Sequence, residues 1–364
     1  MRLVRLRAEN YRNIAAAELI PGRELTVVCG DNGQGKTNLL EAVWLLTGGK
    51  SFRGGKEAEM IRRGAAFAVL EAVTCRDDGT ETAVLLTIGG PESEKPGRRA
   101  RVNGVERGRA AALAGSFPAV VFDPGHLSLV KGSPEGRRRF LDAALCQLYP
   151  GYLAAYRRYL RAMTQKNALL KNGAETDGAA GVLDALDAEL AARGEELQAR
   201  RRAYLAQLAP FAVRNYEQLS RGAETLRLAY QENFAPGTLR ETLAQRRGAE
   251  LRAGMCLCGP HREDFDILLD GHSAKAFASQ GQQRSAVLSL KLAEAACVKE
   301  IAGERPVLLL DDVLRELDEG RRAYLLTRMK ELQTFVTSCD GAEFLRADGE
   351  IWTMSAGVLR RADG

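Results

Sequence analysis

Gly30-Asp31-Asn32-Gly33-Gln34-Gly35-Lys36-Thr37 has the pattern G-x-x-x-x-G-K-[ST]. An apolar stretch, Leu25 to Cys29, precedes it, and a run with Leu39, Leu40, Val43 and Leu46 at helical spacing follows. Strand, glycine-rich turn and helix in that order make a phosphate cradle. The glycines let backbone N–H groups turn inward, and the helix start adds partial positive charge. Lys36 is expected to reach the β- and γ-phosphates, and Thr37 to offer its hydroxyl to Mg²⁺. The pattern assigns Gly30, Asp31, Asn32, Gly33, Gln34, Gly35, Lys36 and Thr37 to nucleotide binding. No N-K-x-D motif for reading guanine is present, so the nucleotide is read as ATP.

A carboxylate partner for the metal comes late in the chain. Val307 to Leu310 is an apolar strand ending in Asp311-Asp312. Asp311 is assigned to Mg²⁺, and Asp312 to orienting or deprotonating the attacking water. The catalytic set is therefore Lys36, Asp311 and Asp312, with Thr37 and Asp311 on the metal.

Ser279-Gln280-Gly281-Gln282 opens a further helix about thirty residues before that strand. Its placement resembles the ABC signature loop, in which a helix start contacts the γ-phosphate bound to a second subunit. Glu316-Leu317-Asp318 resembles the D-loop of the same ATPases. Two half-sites imply an ATP-dependent homodimer. The strand after Asp312 reads Gln333-Thr334-Phe335-Val336-Thr337-Ser338, without the histidine usual in the transporter branch, which disfavours a transport ATPase.

At 364 residues the chain exceeds one ordinary core, and 45% hydrophobic composition supports extensive burial. Residues 1 to 30 read as strands opening a sheet, with Leu3, Arg5 and Arg7 on one face and Val4, Leu6 and Ala8 on the other. Asp77-Asp78-Gly79 marks a hairpin. Pro91 to Gly104 reads as an exposed loop, and Phe117 to Phe122 as a buried strand. From about 136 to 250, Ala, Leu, Glu, Arg and Gln dominate at helical spacing, with a break from Lys171 to Gly181 between two long antiparallel helices. The expected division is an ATPase head at 1–135 and 253–364 with an inserted helical arm at 136–252. The fold class is α/β, a P-loop ATPase head of ABC type with mixed sheet and flanking helices.

Seven scattered cysteines without a C-x-x-C pair and three separated histidines write neither a disulfide framework nor a zinc site. No apolar run is long enough to cross a membrane and no signal peptide opens the chain, so the expected location is cytoplasmic, without a membrane partner. Net charge is only +5, but the arginines cluster at Arg98-Arg99-Arg101, Arg137 to Arg139, Arg157-Arg158-Arg161 and Arg200 to Arg202. Such clusters permit phosphate contacts with DNA, although on their own they are usually solvated helix faces.

Taken together, the motifs resemble the RecF family of bacterial recombination-mediator ATPases. The stretches that carry the likeness are Tyr11-Arg12-Asn13-Ile14, Gly49 to Arg53, Leu129 to Pro134 with Arg137 to Asp142, Gln165 to Leu170, Gly259-Pro260-His261-Arg262 and Leu308 to Asp312. The resemblance implies an SMC/Rad50-like head and ATP-dependent dimerisation. It also implies binding to single- and double-stranded DNA at gap junctions, and slow DNA-stimulated hydrolysis used as a switch. RecR and RecO are the implied partners in loading RecA at gaps, within the SOS response. By analogy with Rad50-like heads, Arg12 and Asn13 approach the phosphates. A structural clamp working with a nuclease is the alternative within the same group. Two positions depart from the family pattern, Gly125 where an acid is usual and Arg315 where serine is frequent, and no glutamine between Gln34 and Gln147 supplies a Q-loop.

Overall fold

The computed structural model describes residues 1–94, 96–172, 178–339 and 349–362. Contacts divide the chain into two compact units, Met1–His126 with Leu290–Gly364, and Leu127–Ser289.

The first unit contains two six-stranded sheets. Strands β1 (Arg2–Tyr11), β2 (Ile14–Leu19) and β3 (Leu25–Cys29) lead into helix α1 (Lys36–Leu45). Next come β4 (Phe67–Cys75), β5 (Glu81–Gly89), β6 (Gly97–Val102), β7 (Val105–Arg109) and β8 (Ala119–Phe122). One sheet is antiparallel, in the order β2-β1-β4-β5-β6-β7. The opening strands therefore do not form a single sheet: β3 is all but buried and joins the other one. A residue that buries both faces belongs between parallel neighbours, and Leu25 to Cys29 is apolar enough to sit there.

Alternation along β1 changes phase. A register shift between Leu3 and Arg5 places Leu3 inside with Leu6 and Ala8, while Arg5 and Arg7 face solvent. One extra residue in a strand moves every following side chain to the other face, which is why Leu3 parts from the arginines it was grouped with. Gln333 meets both backbone groups of Leu3: the Leu3 N–H donates to its Oε1 at 2.7 Å, and its Nε2 donates to the Leu3 carbonyl at 2.9 Å. The same Nε2 reaches the Gly22 carbonyl at 2.9 Å.

The Asp77–Gly79 turn joins β4 to β5 as expected, with Gly79 at φ 87°. Within Pro91–Gly104 the expectation of a loop is corrected, because β6 pairs with β5 and β7 there. Its charge hid its period: Arg98 and Ala100 alternate inward, and the buried Arg98 guanidinium is held by Glu57 at 2.8 Å.

The second unit begins with a short turn of helix, α2 (Ser128–Lys131), followed by α3 (Pro134–Leu148), α4 (Pro150–Asn172) and α5 (Ala179–Ser220). Residues 173–177 of the expected break lie outside the described residues, and helices flank it on either side. Then follow β9 (Leu226–Gln231), α6 (Leu239–Ala253), β10 (Asp264–Leu269), β11 (His272–Ser273) and α7 (Ala274–Phe277). Helix α8 (Gln280–Ala302) carries the chain across the boundary between the units. The inserted unit is thus wider than 136–252. Leu226 to Gln231 is a strand amid helical composition, and it pairs with β10, so residues 253–289 pack with the helices instead of returning to the head.

Arginine clusters in this unit are largely structural. Arg201 is buried and bidentate to Asp142 at 2.8 Å on both bonds, Arg137 grips Asp264 at 2.7 and 2.8 Å, and Arg138 donates to the Glu263 carbonyl.

The last elements are β12 (Val307–Leu310), α9 (Glu319–Met329), β13 (Thr334–Ser338), β14 (Glu350–Ser355) and β15 (Val358–Arg361). They complete the second sheet, β15-β14-β3-β13-β12-β8, parallel from β14 through β8. Among the described residues no helix is long and apolar enough to cross a membrane. Gln333→Leu is expected to remove the partner of two buried backbone groups of Leu3 and of the part-buried Gly22 carbonyl and lower unfolding stability by at least about 2 kcal/mol, read from the urea midpoint at unchanged m.

Candidate nucleotide site

Helix α1 starts directly from the glycine-rich turn. Gly35 precedes it at φ 117° with no side-chain cap, so the first N–H groups of the helix are left open to an anion. Gly30 stands at φ 148°, and a Cβ there would lie 2.2 Å from the Met354 carbonyl. The turn is pinned from behind: the Gln34 carbonyl accepts from Gly357 N–H and from Asn13 Nδ2, both at 3.0 Å, and Gln34 Oε1 accepts from Ala356 N–H at 2.5 Å. Asp31, Asn32 and Gly33 form its exposed tip.

The buried Lys36 ammonium donates to the carbonyls of Gly30 at 2.6 Å and Asp31 at 3.0 Å. It thus crosses the mouth of its own loop, held by the two carbonyls that open it. Thr37 donates its hydroxyl to Asp311 Oδ1 at 2.9 Å, joining residues 274 positions apart.

That contact exists because β13 lies between β3 and β12 and aligns their ends. Thr337, on β13, also donates to Asp311 Oδ1 at 2.9 Å, and its Oγ1 accepts from the Asp312 N–H at 2.8 Å. Asp312 sits in the left-handed region at φ 49°, and its Oδ1 is buried without a hydrogen-bond partner among the described residues. Burial pushes the Asp311 carboxyl above its ordinary value, and the neighbouring Asp312 and Asp123 charges push the same way against the two threonine bonds. A hydroxyl, a carboxylate disfavoured as a bare anion and an orphaned carboxylate oxygen fit a small divalent cation, which takes few protein ligands beside a phosphate. Thr37 and Asp311 are the residues placed to hold it.

Asp123 ends the neighbouring strand β8 and holds His126, with Nδ1 3.0 Å from Oδ2. Burial favours the neutral acid, yet the His126 contact keeps Asp123 below its ordinary value. The position where Gly125 replaces an acid is therefore flanked by a carboxylate–imidazole pair.

Arg12, expected to approach the phosphates, is bonded to α1 here. Its guanidinium is bidentate to the buried Glu41 on α1, at 2.7 Å on both bonds, and Ser51 donates to the same carboxylate. Burial would raise Glu41, but Arg12 and Ser51 hold it below its ordinary value. Arg12 thus fixes the helix behind the cradle, while Asn13 props the turn itself.

In the second unit, Ser279 and Gln282 cap α8 reciprocally: Ser279 N–H donates to Gln282 Oε1 at 2.6 Å, and Gln282 N–H donates to Ser279 Oγ at 3.2 Å. Ser279 and Gln280 are exposed and Gly281 is half-buried. Asp318 of the D-loop-like segment caps α9 through Arg321 N–H at 2.9 Å, and Leu317 is buried. Reading the sequence missed Thr337, Glu41 and the Asp123–His126 pair. Glu41 had one signal, a lone acid among Leu39, Leu40, Ala42 and Val43; Asp123 and His126 are three residues apart, and Thr337 depends on strand order.

Residues 2–356 match the RecF/RecN/SMC N terminal domain family. DNA replication and repair protein RecF of Heliobacterium modesticaldum is 40% identical over 97% of this chain and 96% of its own length. The protein of that name from Symbiobacterium thermophilum is 37% identical over 99% and 98%. The solved recombination mediator protein RecF-ATPrS superposes with a TM-score of 0.91 at 29% identity, covering 100% of this chain and 98% of that one. An Smc head domain from Pyrococcus furiosus, at 16% identity and a TM-score of 0.56, shares the fold. With a likeness running the length of the chain and a phosphate loop seated against its acidic strand end, the chain belongs to the RecF family.

Proposed function

We propose that this chain is an ATP-dependent DNA-binding recombination mediator, a slow ATPase whose nucleotide state switches a homodimer between closed and open forms. The observation that carries the reading is the 2.9 Å bond between Thr37 and Asp311, which brings the phosphate cradle and the acidic strand end into one site. The solved relative is a recombination mediator of the RecFOR pathway, which supports RecR and RecO as partners; DNA gaps are the place of action in this reading.

When ATP enters, the N–H groups of Gly33 to Lys36 and the uncapped start of α1 receive the β-phosphate. Lys36 exchanges the Gly30 and Asp31 carbonyls for phosphate oxygens. Thr37 and Asp311 would hold Mg²⁺, which would supply charge neutralisation for the phosphates. Asp312, with its unpaired oxygen, orients a water in line with the γ-phosphorus and takes its proton as the bond to the β-phosphate oxygen breaks. Thr337 keeps the two aspartates apart in role by binding one through its proton and the other's N–H through its lone pair.

Ser279 and Gly281 of a second copy cap the γ-phosphate. The triphosphate then touches both copies only in the closed form, which is the differential affinity a population shift requires. Loss of the γ-phosphate removes that difference, and the dimer opens.

Sedimentation with saturating ATP should give a dimer for the wild type and a monomer for Ser279→Asp. Aspartate keeps the helix cap but sets a negative charge against the phosphate, so the two roles of the residue separate. A wild type that stays monomeric at micromolar concentration, with and without DNA, would sink the switch. Asp311→Asn is expected to lower hydrolysis at least about a hundredfold and yet raise Tm in metal-free buffer. Because burial places the folded carboxyl above its unfolded value, that stability gain exists at neutral pH and vanishes as pH falls and wild-type Asp311 takes up its proton. Calorimetry across the pH range reads the sign.

A further inference from the structure

Three of the four arginine clusters contribute members to ion pairs or buried bonds, through Arg98, Arg101, Arg137, Arg139, Arg201 and Arg202. The fourth does not. Arg157, Arg158 and Arg161 on α4 are exposed, and none makes an ion pair or side-chain hydrogen bond among the described residues. Helix α4 has 23 residues and contains no aspartate or glutamate. Lys171, also exposed, lies on the same side near its end.

A solvated helix face ordinarily mixes its charges, as Arg193 does with Glu189 and Glu196 on α5. On α4 Tyr152, Ala155, Tyr159, Ala162, Lys166 and Leu170 are buried, so the opposite side is what the helix presents. Between the bases the other exposed residues on that side are Thr164, Gln165 and Ala168, uncharged and small enough to let a stiff polyanion lie close. From Arg157 to Lys171 the helix rises about 21 Å, roughly the axial length of six base pairs.

We propose that this face of α4 is the track on which the sugar–phosphate backbone of duplex nucleic acid lies. The inference rests on the DNA-binding reading and adds a place and a strandedness to it. Guanidinium groups without an ion pair among the described residues, spread over about 6 Å of one helix from Arg157 to Arg161, release counterions without first breaking bonds inside the protein. Single strands are held by aromatic side chains on which bases stack, and this face has none. The site accordingly contacts backbone and reads no sequence.

The test uses the full chain with ATP and a labelled duplex, a single strand of the same sequence, and polyglutamate as a probe for an acidic protein. Arg157→Ala, Arg158→Ala and Arg161→Ala together should weaken duplex binding about tenfold or more and reduce the salt slope by about 2 to 3, with ATP affinity and Tm unchanged. The corresponding triple lysine variant should restore the slope. Removing Arg5, Arg7 and Arg101, which are already paired, supplies a control of equal charge loss. Equal loss in that control, equal loss on single strand and duplex, or a loss confined to polyglutamate would each overturn the assignment. A wild type that binds duplex while the alanine variant matches it sinks the track alone. A wild type that binds no DNA at any salt sinks the DNA-binding reading with it.

Discussion

The hydrogen bond from the Thr37 hydroxyl to Asp311 is the constraint around which the head is organised. It requires β3 and β12 to end at the same level, and β13 lies between them with its own Thr337 on the same carboxylate oxygen. Two neutral hydroxyls do not offset the burial of a carboxylate beside two others. The site is therefore held in a state that a bound divalent cation would relieve. Strain at Asp312 belongs to the same economy: a left-handed backbone and an unpaired oxygen persist because the surrounding sheet fixes them.

Behind the cradle the chain uses charge differently. Arg12 and Glu41 neutralise each other with two 2.7 Å bonds, so this guanidinium orients α1. In the second unit Arg201, Asp142 and Tyr152 form a buried set, and Lys166 sits between Asp187 and Glu250 at 2.6 and 2.5 Å. Removing one member of such a set leaves an uncompensated charge, which costs about 3 to 5 kcal/mol. These arginines and lysines cannot also serve a polyanion, and the contrast with α4 is what gives its solvent face meaning.

Much of this was legible in advance. The phosphate loop, the acidic strand end and the loop before α8 are contiguous motifs, each with a local reason for its residue types, and the Asp77–Gly79 turn announces its hairpin through backbone preference. What escaped was decided by partners far along the chain. The phase change at Leu3 follows from a bulge against β4, the strand at Gly97–Val102 from pairing under a run of arginines, and the placement of residues 253–289 from the β9–β10 ladder. Arg12 was read by analogy with related heads, and only the position of Glu41 shows which group it meets. Local chemistry is written in the sequence, whereas strand order is settled by the whole set of competing pairings.

Strand order also has a bearing on how the polypeptide is made. β3 is translated well before both of its sheet neighbours, β13 and β14, with the entire Leu127–Ser289 unit in between. At roughly 5 to 20 residues per second, the roughly 300 intervening residues take about 15 to 60 s to appear. Throughout that interval the Leu25–Cys29 edge is an unpaired apolar template on a nascent chain, while the intervening unit has all of its own partners and is free to fold first. Chaperone dependence should therefore concentrate on the segment around β3, translated ahead of that unit.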